Sequence, residues 1–167
     1  MTDKLTHFDE KGRAKMVNVG GKHVTPRVAI ARSILKISAN LVNILSKGSL
    51  EKGDAFTVAK TAGILAAKQT GQMIPMCHPL PVDYVNIDIQ LLEEKNQIRI
   101  ESEVCITAKT GVEMEALVAV TVAGLTVYDM CKAIEKGIKI STTGLYKKTG
   151  GKSGEYLNSE MEWENMD

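Results

Sequence analysis

The chain is 167 residues long, enough for a single domain that buries its own core without disulfides or a structural metal. Its 21 Lys and Arg residues nearly balance its 20 Asp and Glu residues, so it lacks the broad positive field that binding to nucleic acid or to a membrane surface needs. A polar, partly acidic N-terminus and 3 widely spaced cysteines are typical of a cytoplasmic protein with reduced thiols. We therefore expect no nucleic-acid or membrane partner, and any anion must be bound by a local cluster of basic residues.

The first part of the chain predicts an arm followed by a helix. Residues 1–24 suit an irregular arm without clear periodicity, with a short strand at residues 16–19. Thr25 followed by Pro26 is typical of a helix N-terminus, because threonine caps free backbone amides and proline suits the first helical position. Apolar residues then recur at helical spacing, which predicts one helix over residues 25–46. These apolar positions are Ile30, Ile34, Ile37, Leu41 and Ile44.

A second helix and a rigid connector are predicted next. Asp54 predicts the N-cap of a helix whose apolar stripe continues to Gly71. Residues 74–81 contain 3 of the 4 prolines of the chain, which prevent helix formation and fix the backbone around Cys77 and His78.

A hairpin and a long helix are predicted after the connector. Apolar and polar residues alternate over residues 85–91 and 98–106, on either side of a turn at residues 93–96. This pattern predicts an antiparallel hairpin with one apolar face. Residues 112–136 predict a helix whose apolar run, residues 116–127, is too short to span a bilayer. We therefore expect a buried core helix.

The last part of the chain predicts a strand over residues 138–146, a basic glycine-rich loop over residues 147–154 and a solvated acidic end over residues 160–167. The order helix, helix, hairpin, helix, strand predicts an α+β fold with helices packed on one face of an antiparallel sheet. The predicted division of the chain is an irregular arm (1–24), a single catalytic domain (25–157) and an acidic C-terminal tail (158–167).

Two carboxylates begin the predicted long helix. Glu113 and Glu115 are two positions apart, so they point in nearly opposite directions and do not predict a carboxylate pair. Acidic residues in a first helical turn often do no more than favour the helix dipole. The preceding turn, Lys109-Thr110-Gly111, favours a binding role, because its backbone amides can meet a ligand where the helix begins.

Asp129 and Lys132 form a second polar pair on this helix, and three residues of spacing let them form a surface ion pair of little energetic value. Because Asp129 ends an apolar run, we expect it to be half-buried, where a charge needs a partner or a task. Glu115 and Asp129 are separated by roughly 21 Å along one helix. One pocket of one chain cannot contain both, so either one end alone is catalytic or two subunits share the site.

Cys77 and His78 are candidates for a nucleophilic pair, but neighbours in an extended segment project to opposite sides. No second Cys or His lies at zinc-ligand spacing, so we expect no metal site. We expect His78 to line a pocket instead.

The basic loop contains Gly151-Lys152-Ser153, which resembles part of a phosphate-binding P-loop. Tyr146 stands where the required earlier glycine would be, so we reject that motif. The loop is then either a solvated segment or a phosphate clamp made of Lys147, Lys148 and Lys152.

Four motifs, by their sequence and by their order along the chain, resemble the MoaC family of cyclic pyranopterin monophosphate synthases, which act in molybdenum cofactor biosynthesis. The resemblance extends roughly from Leu5 to Gly154, with small departures at Asn18 and Met76. Weaker agreement is found at Thr6-His-Phe8, Met16-Val17 and Lys52-Gly-Asp54. The four motifs are Met76-Cys-His-Pro-Leu80, Lys109-Thr-Gly-Val-Glu-Met-Glu-Ala-Leu117, Tyr128-Asp-Met-Cys-Lys-Ala133 and Lys148-Thr-Gly-Gly-Lys-Ser-Gly154.

The resemblance implies a ferredoxin-like α+β core and a homohexamer, a trimer of dimers, with active sites between subunits. It implies a small-molecule substrate, (8S)-3′,8-cyclo-7,8-dihydroguanosine 5′-triphosphate, converted to cyclic pyranopterin monophosphate with release of pyrophosphate. No cofactor is expected.

The resemblance also implies roles for particular residues. Asp129 is the expected acid, base or orienting group, with Lys132 and Lys52 moving protons or neutralising charge. The expected substrate-binding residues are Met76, Cys77, His78, Glu113, Met114 and Glu115, and the expected triphosphate ligands are Lys22, Arg27, Lys68, Lys148 and Lys152.

Two other functions remain open at this point. One is a non-catalytic phosphometabolite-binding module that uses the same lysines. The other is a metal-dependent phosphohydrolase that uses His78 and the carboxylates.

Overall fold

The computed structural model describes residues 11–48 and 54–166. Residues 1–10 of the predicted arm and the predicted catalytic Lys52 lie outside the described residues. The elements in chain order are β1 (Thr25–Lys36), α1 (Ala39–Ser46), α2 (Ala55–Met73), β2 (Tyr84–Leu92), β3 (Gln97–Ala108), α3 (Glu113–Cys131), β4 (Lys139–Thr149) and β5 (Tyr156–Leu157), with short 3-10 turns at Glu93–Lys95 and Ser159–Met161.

The five strands form one antiparallel sheet in the order β2-β3-β1-β4-β5. The long helices α2 and α3 pack on this sheet and on each other. Strand β1, helix α2, the hairpin β2–β3, helix α3 and strand β4 follow each other as in a ferredoxin-like fold. The predicted α+β fold is therefore confirmed, as are the hairpin and the second helix, whose cap Asp54 accepts hydrogen bonds from the first-turn amides.

The predicted helix over residues 25–46 is wrong. Thr25–Lys36 is the central strand of the sheet, and α1 begins only at Ala39. A strand covered on both faces carries apolar residues at odd and even positions, so its pattern does not distinguish it from a buried helix. In β1, Ala31 packs in the main core and Ile34 packs on the opposite face, which explains the misleading spacing.

Three boundaries also differ from the predictions. Residues 16–19 are not in a strand, and α3 ends at Cys131 rather than near residue 136. β4 continues to Thr149, so Lys147 and Lys148 belong to a strand and not to the basic loop.

Helix α3 is the core helix of the domain. Its length and composition alone would allow it to cross a membrane, but one side of it is buried against the sheet and α2. Gly63 of α2 lies so close to α3 that a Cβ there would meet the Ala119 carbonyl oxygen at 2.8 Å. Ser102 of β3 donates a hydrogen bond to the carbonyl of Ala116 at 2.8 Å. The prediction of a buried core helix is confirmed.

The C-terminal segment, residues 158–166, packs on the sheet face opposite the helices. Met161 and Met166 are only 5% and 3% exposed. The ring of Trp163 lies 4.5 Å from the guanidinium of Arg32. The predicted solvated end is therefore wrong, because three large side chains between the acidic residues anchor the segment.

Candidate active site

A cavity of about 300 Å³ lies where α3 begins. It is bounded by the N-terminal arm, the connector after α2, the turn before α3 and the first turn of α3, and we call it the α3 cavity. The structure brings together here all six residues predicted to bind the body of the substrate, with Lys22 beside them. Those six are Met76, Cys77, His78, Glu113, Met114 and Glu115. The cavity is also lined by Thr110 and Gly111, from the turn expected to meet a ligand, and by Val17 and Leu80, which were not predicted to bind.

Glu115 is the buried acid of the α3 cavity, with only 3% of its surface exposed. Burial raises the pKa of its carboxyl to about 7, and the negative charge of Glu113 acts in the same direction, against a hydrogen bond from its own backbone amide. Near neutral pH this carboxyl is therefore able both to donate and to accept a proton.

Glu113 also lies at the α3 cavity. Its carboxylate folds back over Gly111 and occupies the place that a side chain at that position would take. Both carboxylates consequently line the α3 cavity. Two carboxylates that diverge along the helix can therefore still border one cavity.

The connector after α2 is a turn, not an extended segment. The Cys77 amide donates to the Ile74 carbonyl at 3.0 Å, and Gly71 lets Pro79 pack directly against α2. The turn brings both Cys77 and His78 to the α3 cavity.

His78 is bonded to the N-terminal arm and not to its neighbour. Its Nε2 lies 2.9 Å from the carbonyl oxygen of Val17. Since a carbonyl oxygen can only accept, Nε2 is the donor of this hydrogen bond.

Burial raises the pKa of the Cys77 thiol, and the nearby charge of Glu115 adds to this effect. A thiol held neutral in this way is a poor nucleophile. Among the described residues, no three His, Cys, Asp or Glu side chains converge on a metal-sized site.

A second cavity, of about 850 Å³, adjoins the first through Lys22, which lines both. We call it the basic groove, since it carries the predicted ligands Lys22, Arg27 and Lys152 together with His23. Its remaining lining residues are Gly21, Thr25, Gly151 and Ser153.

The sequence prediction did not include His23, Thr25 or Ser153 among the binding residues. A usable signal was present in the chain, because Gly-Gly-Lys occurs twice, at residues 20–22 and 150–152. Both copies contribute lining residues to the basic groove, Gly21 and Lys22 from the first and Gly151 and Lys152 from the second.

Two predicted phosphate ligands lie outside these cavities. Lys68 is exposed on α2, and Lys148 on β4 donates to the hydroxyl of Ser153. Lys147, a member of the proposed lysine clamp, pairs with Glu155 at 2.8 Å. Of that clamp, only Lys152 is among the residues that line the basic groove.

Asp129 and Lys132 lie at the other end of α3. They form an ion pair of 2.6 Å, with side chains 61% and 49% exposed, and the hydrogen bond and charge of Asp129 raise the pKa of Lys132. The expectation that Asp129 is half-buried is wrong for the isolated chain, because it lies on the exposed face of α3, whose other face stays in the core as far as Cys131. α3 is continuous from Glu113 to Cys131, so Glu115 and Asp129 are indeed roughly 21 Å apart along the helix.

Comparison with known proteins identifies the relatives of the chain. Residues 16–151, which include β1 to β4, match the sequence model of the MoaC family. The cyclic pyranopterin monophosphate synthase of Brevibacillus brevis is 52% identical over 96% of this chain and 99% of its own length. The protein of the same name from Clostridium perfringens is 49% identical over 93% of this chain and 99% of its own length. The one from Desulfitobacterium hafniense is 50% identical over 94% of this chain and 96% of its own length.

Proposed function

We propose that this chain, which belongs to the MoaC family, acts as a cyclic pyranopterin monophosphate synthase in molybdenum cofactor biosynthesis. It converts (8S)-3′,8-cyclo-7,8-dihydroguanosine 5′-triphosphate to cyclic pyranopterin monophosphate and releases pyrophosphate. The names of relatives about half identical over almost their whole length confirm the predicted family and activity. The substrate is accordingly a small molecule, and we place the reaction in the cytoplasm.

The observation that carries this function is the joining of two chemically different cavities at Lys22. The α3 cavity offers the carboxyl of Glu115, which in its ionised form accepts N–H donors such as those of a guanine-type ring. The basic groove offers cationic groups for a triphosphate, with Arg27 and Lys152 on its walls. A substrate that combines a heterocycle with a phosphate chain fits this arrangement.

The reaction opens and closes rings by proton transfer and then displaces pyrophosphate at the α-phosphorus. Asp129 supplies an acid, a base or an orienting group, and Lys132 and Lys52 move protons or neutralise charge. Since Asp129 stands roughly 21 Å along α3 from Glu115, we propose that a second subunit brings it to the cavity.

A homohexamer arranged as a trimer of dimers would provide such shared sites. Its assembly is supported by large apolar side chains that are exposed on the single chain. Leu65 of α2 is 52% exposed and Leu125 of α3 is 54% exposed. A subunit interface over α2 and α3 would bury both side chains, which removes apolar surface from water.

The first experiment measures pyrophosphate and pterin product after incubation with the cyclised triphosphate. Asp129→Asn should lower kcat by about 100- to 10,000-fold, the usual contribution of general acid–base catalysis. Asp88→Asn is the matched control, because Asp88 is an exposed aspartate on β2. Full turnover by Asp129→Asn would remove this residue from the mechanism. A binding module would release no pyrophosphate, and a metal-dependent phosphohydrolase would lose activity in chelator.

A mixing experiment tests whether the site is shared. Asp129→Ala and Glu115→Ala chains, each inactive alone, are unfolded and refolded together. If pairs assort at random, about half of them are mixed, and each mixed pair has one intact site of its two. The mixture should therefore regain about a quarter of full activity. No recovery in mixtures shown to contain mixed oligomers would place both residues in sites of one subunit.

A further inference from the structure

Arg27 stands at the end of the sheet where β1 pairs with both β3 and β4. Its side chain is partly buried, and two of its nitrogens donate hydrogen bonds to consecutive backbone carbonyls. Nε reaches the carbonyl of Ala108 at 3.1 Å, and Nη2 reaches the carbonyl of Lys109 at 3.2 Å. Arg27 is thus bonded to the point where β3 ends and the turn into α3 begins.

The other side of the same guanidinium contacts the basic loop. Gly150 and Gly151 have φ of +90° and +74°, a conformation that suits glycine. A Cβ on Gly151 would overlap Nη1 of Arg27, and a Cβ on Gly150 would meet its Cγ at 3.1 Å. The loop backbone therefore packs directly on the Arg27 side chain, without room for an intervening atom.

Each of these two contacts leads to a different part of the site. The turn held by the two hydrogen bonds continues into Thr110 and Gly111 of the α3 cavity. The loop packed on the other side continues into Lys152 of the basic groove. We propose that Arg27 is a positioning residue that fixes the α3 cavity relative to the basic groove. The expected effect on turnover rests on the proposed function, whereas the structural role of Arg27 does not.

The geometry requires arginine and not merely a positive charge. A guanidinium is planar and presents several N–H donors in a fixed fork, whereas a lysine ammonium is a compact charge on a flexible stem. Lysine at position 27 would keep the charge that faces a triphosphate, but it would not hold two carbonyls and support the loop at once. Arg27→Lys therefore separates attraction of the substrate from alignment of the two cavities.

The kinetic test compares four variants. Arg27→Lys should lower kcat at least tenfold with less than a threefold change in KM, because misplacement of reacting groups costs rate. Arg27→Ala should also raise KM, since it loses the charge. Gly151→Ala should lower kcat like Arg27→Lys, because the added Cβ displaces the guanidinium without changing any charge. Gly154→Ala is the control for backbone strain, since Gly154 has φ of +65° but open space around it, and it should lower kcat less.

A measurement that needs no activity keeps this inference separate from the proposed function. Hydrogen exchange of the amides in residues 109–112 and 149–153 should become faster in both segments together in Arg27→Lys. It should remain unchanged in β2, which Arg27 does not contact. Near-normal turnover and exchange in Arg27→Lys, faster exchange in one segment only, or equal losses in Gly151→Ala and Gly154→Ala would overturn the positioning role.

Discussion

Replacing Glu115 by glutamine should change how the stability of the chain depends on pH. Glu115 is 3% exposed, and its pKa is raised from 4.5 to about 7, first by burial and then by the charge of Glu113. The folded chain consequently binds this proton more tightly than the unfolded chain does. The contribution of Glu115 to stability is complete below pH 4.5 and is lost as the pH rises through about 7.

The size of the effect follows from the pKa values. A rise from 4.5 to about 7 corresponds to about 3 kcal/mol of unfolding free energy, at about 1.4 kcal/mol for each pH unit. Glutamine has nearly the same shape but does not ionise. The Glu115→Gln variant therefore does not lose unfolding free energy at this position as the pH rises. The difference in unfolding free energy between the variant and the unsubstituted chain should therefore grow in favour of the variant by about 2 to 3 kcal/mol as the pH is raised from about 4 to about 8.

Urea unfolding at a series of pH values and one fixed protein concentration measures this difference. Glu160→Gln is the control for the removal of one negative charge, because Glu160 is exposed in the C-terminal segment. A difference between Glu115→Gln and the unsubstituted chain that stays constant within about 0.5 kcal/mol over this pH range would refute the assignment of Glu115 as the buried acid. Unchanged substrate affinity in the same variant would count against its binding role.

Two further predictions concern packing. Gly63→Ala should lower the free energy of unfolding by about 1–3 kcal/mol, because its Cβ would meet the Ala119 carbonyl and this overpacking outweighs the gain in helix propensity. Urea unfolding measures it, with Gly137→Ala, which meets only an ordinary contact, as the control. Trp163 is the only tryptophan, so the tryptophan fluorescence of the chain reports on this ring alone. Arg32→Ala removes the guanidinium 4.5 Å from the ring and should shift the emission to longer wavelength. Unchanged emission would contradict the packing of the C-terminal segment.

Local sequence patterns were sufficient for the elements that have one covered face. α2 carries its own cap at Asp54, and the hairpin strands alternate because one side of each packs on the core. β1 could not be recognised in this way, since the helices cover one face and the C-terminal segment covers the other. The covering of β1 depends on Met161 and Met166, more than 120 residues away in the chain, and no local pattern contains that information.

The site shows the same division between local and distant information. Residues 76–78 and 113–115 were predicted from the family resemblance, and the structure places both groups around the α3 cavity. Their side-chain directions were not predictable, because they depend on the turn at Ile74 and on the space above Gly111. The exposure of Asp129 was also missed, since an apolar run does not reveal which face of the last turn of the helix is covered.

The N-terminal arm explains why the two cavities form one continuous site. Its residues from 16 to 24 belong to no helix or strand, but long-range hydrogen bonds fix it at two points. His78 donates to the carbonyl of Val17 at 2.9 Å, and Lys109 donates to the carbonyl of Gly20 at 2.8 Å. These bonds bring Lys22 to the junction of the α3 cavity and the basic groove. His78 and Lys109, which both belong to the family motifs, thus also shape the site through the arm.

The two ends of α3 divide the functional groups between them. The N-terminal end has a formed cavity with a buried acid but lacks the Asp129–Lys132 pair, which is exposed at the C-terminal end. Exposed charges that bind each other in water gain little from that contact, so stability alone gives a weak reason for this pair. Burial of the pair beside a substrate would change its energetics, because the two charges would then interact strongly with phosphate and with each other. The separation along a rigid helix therefore favours a site that is completed only when subunits assemble.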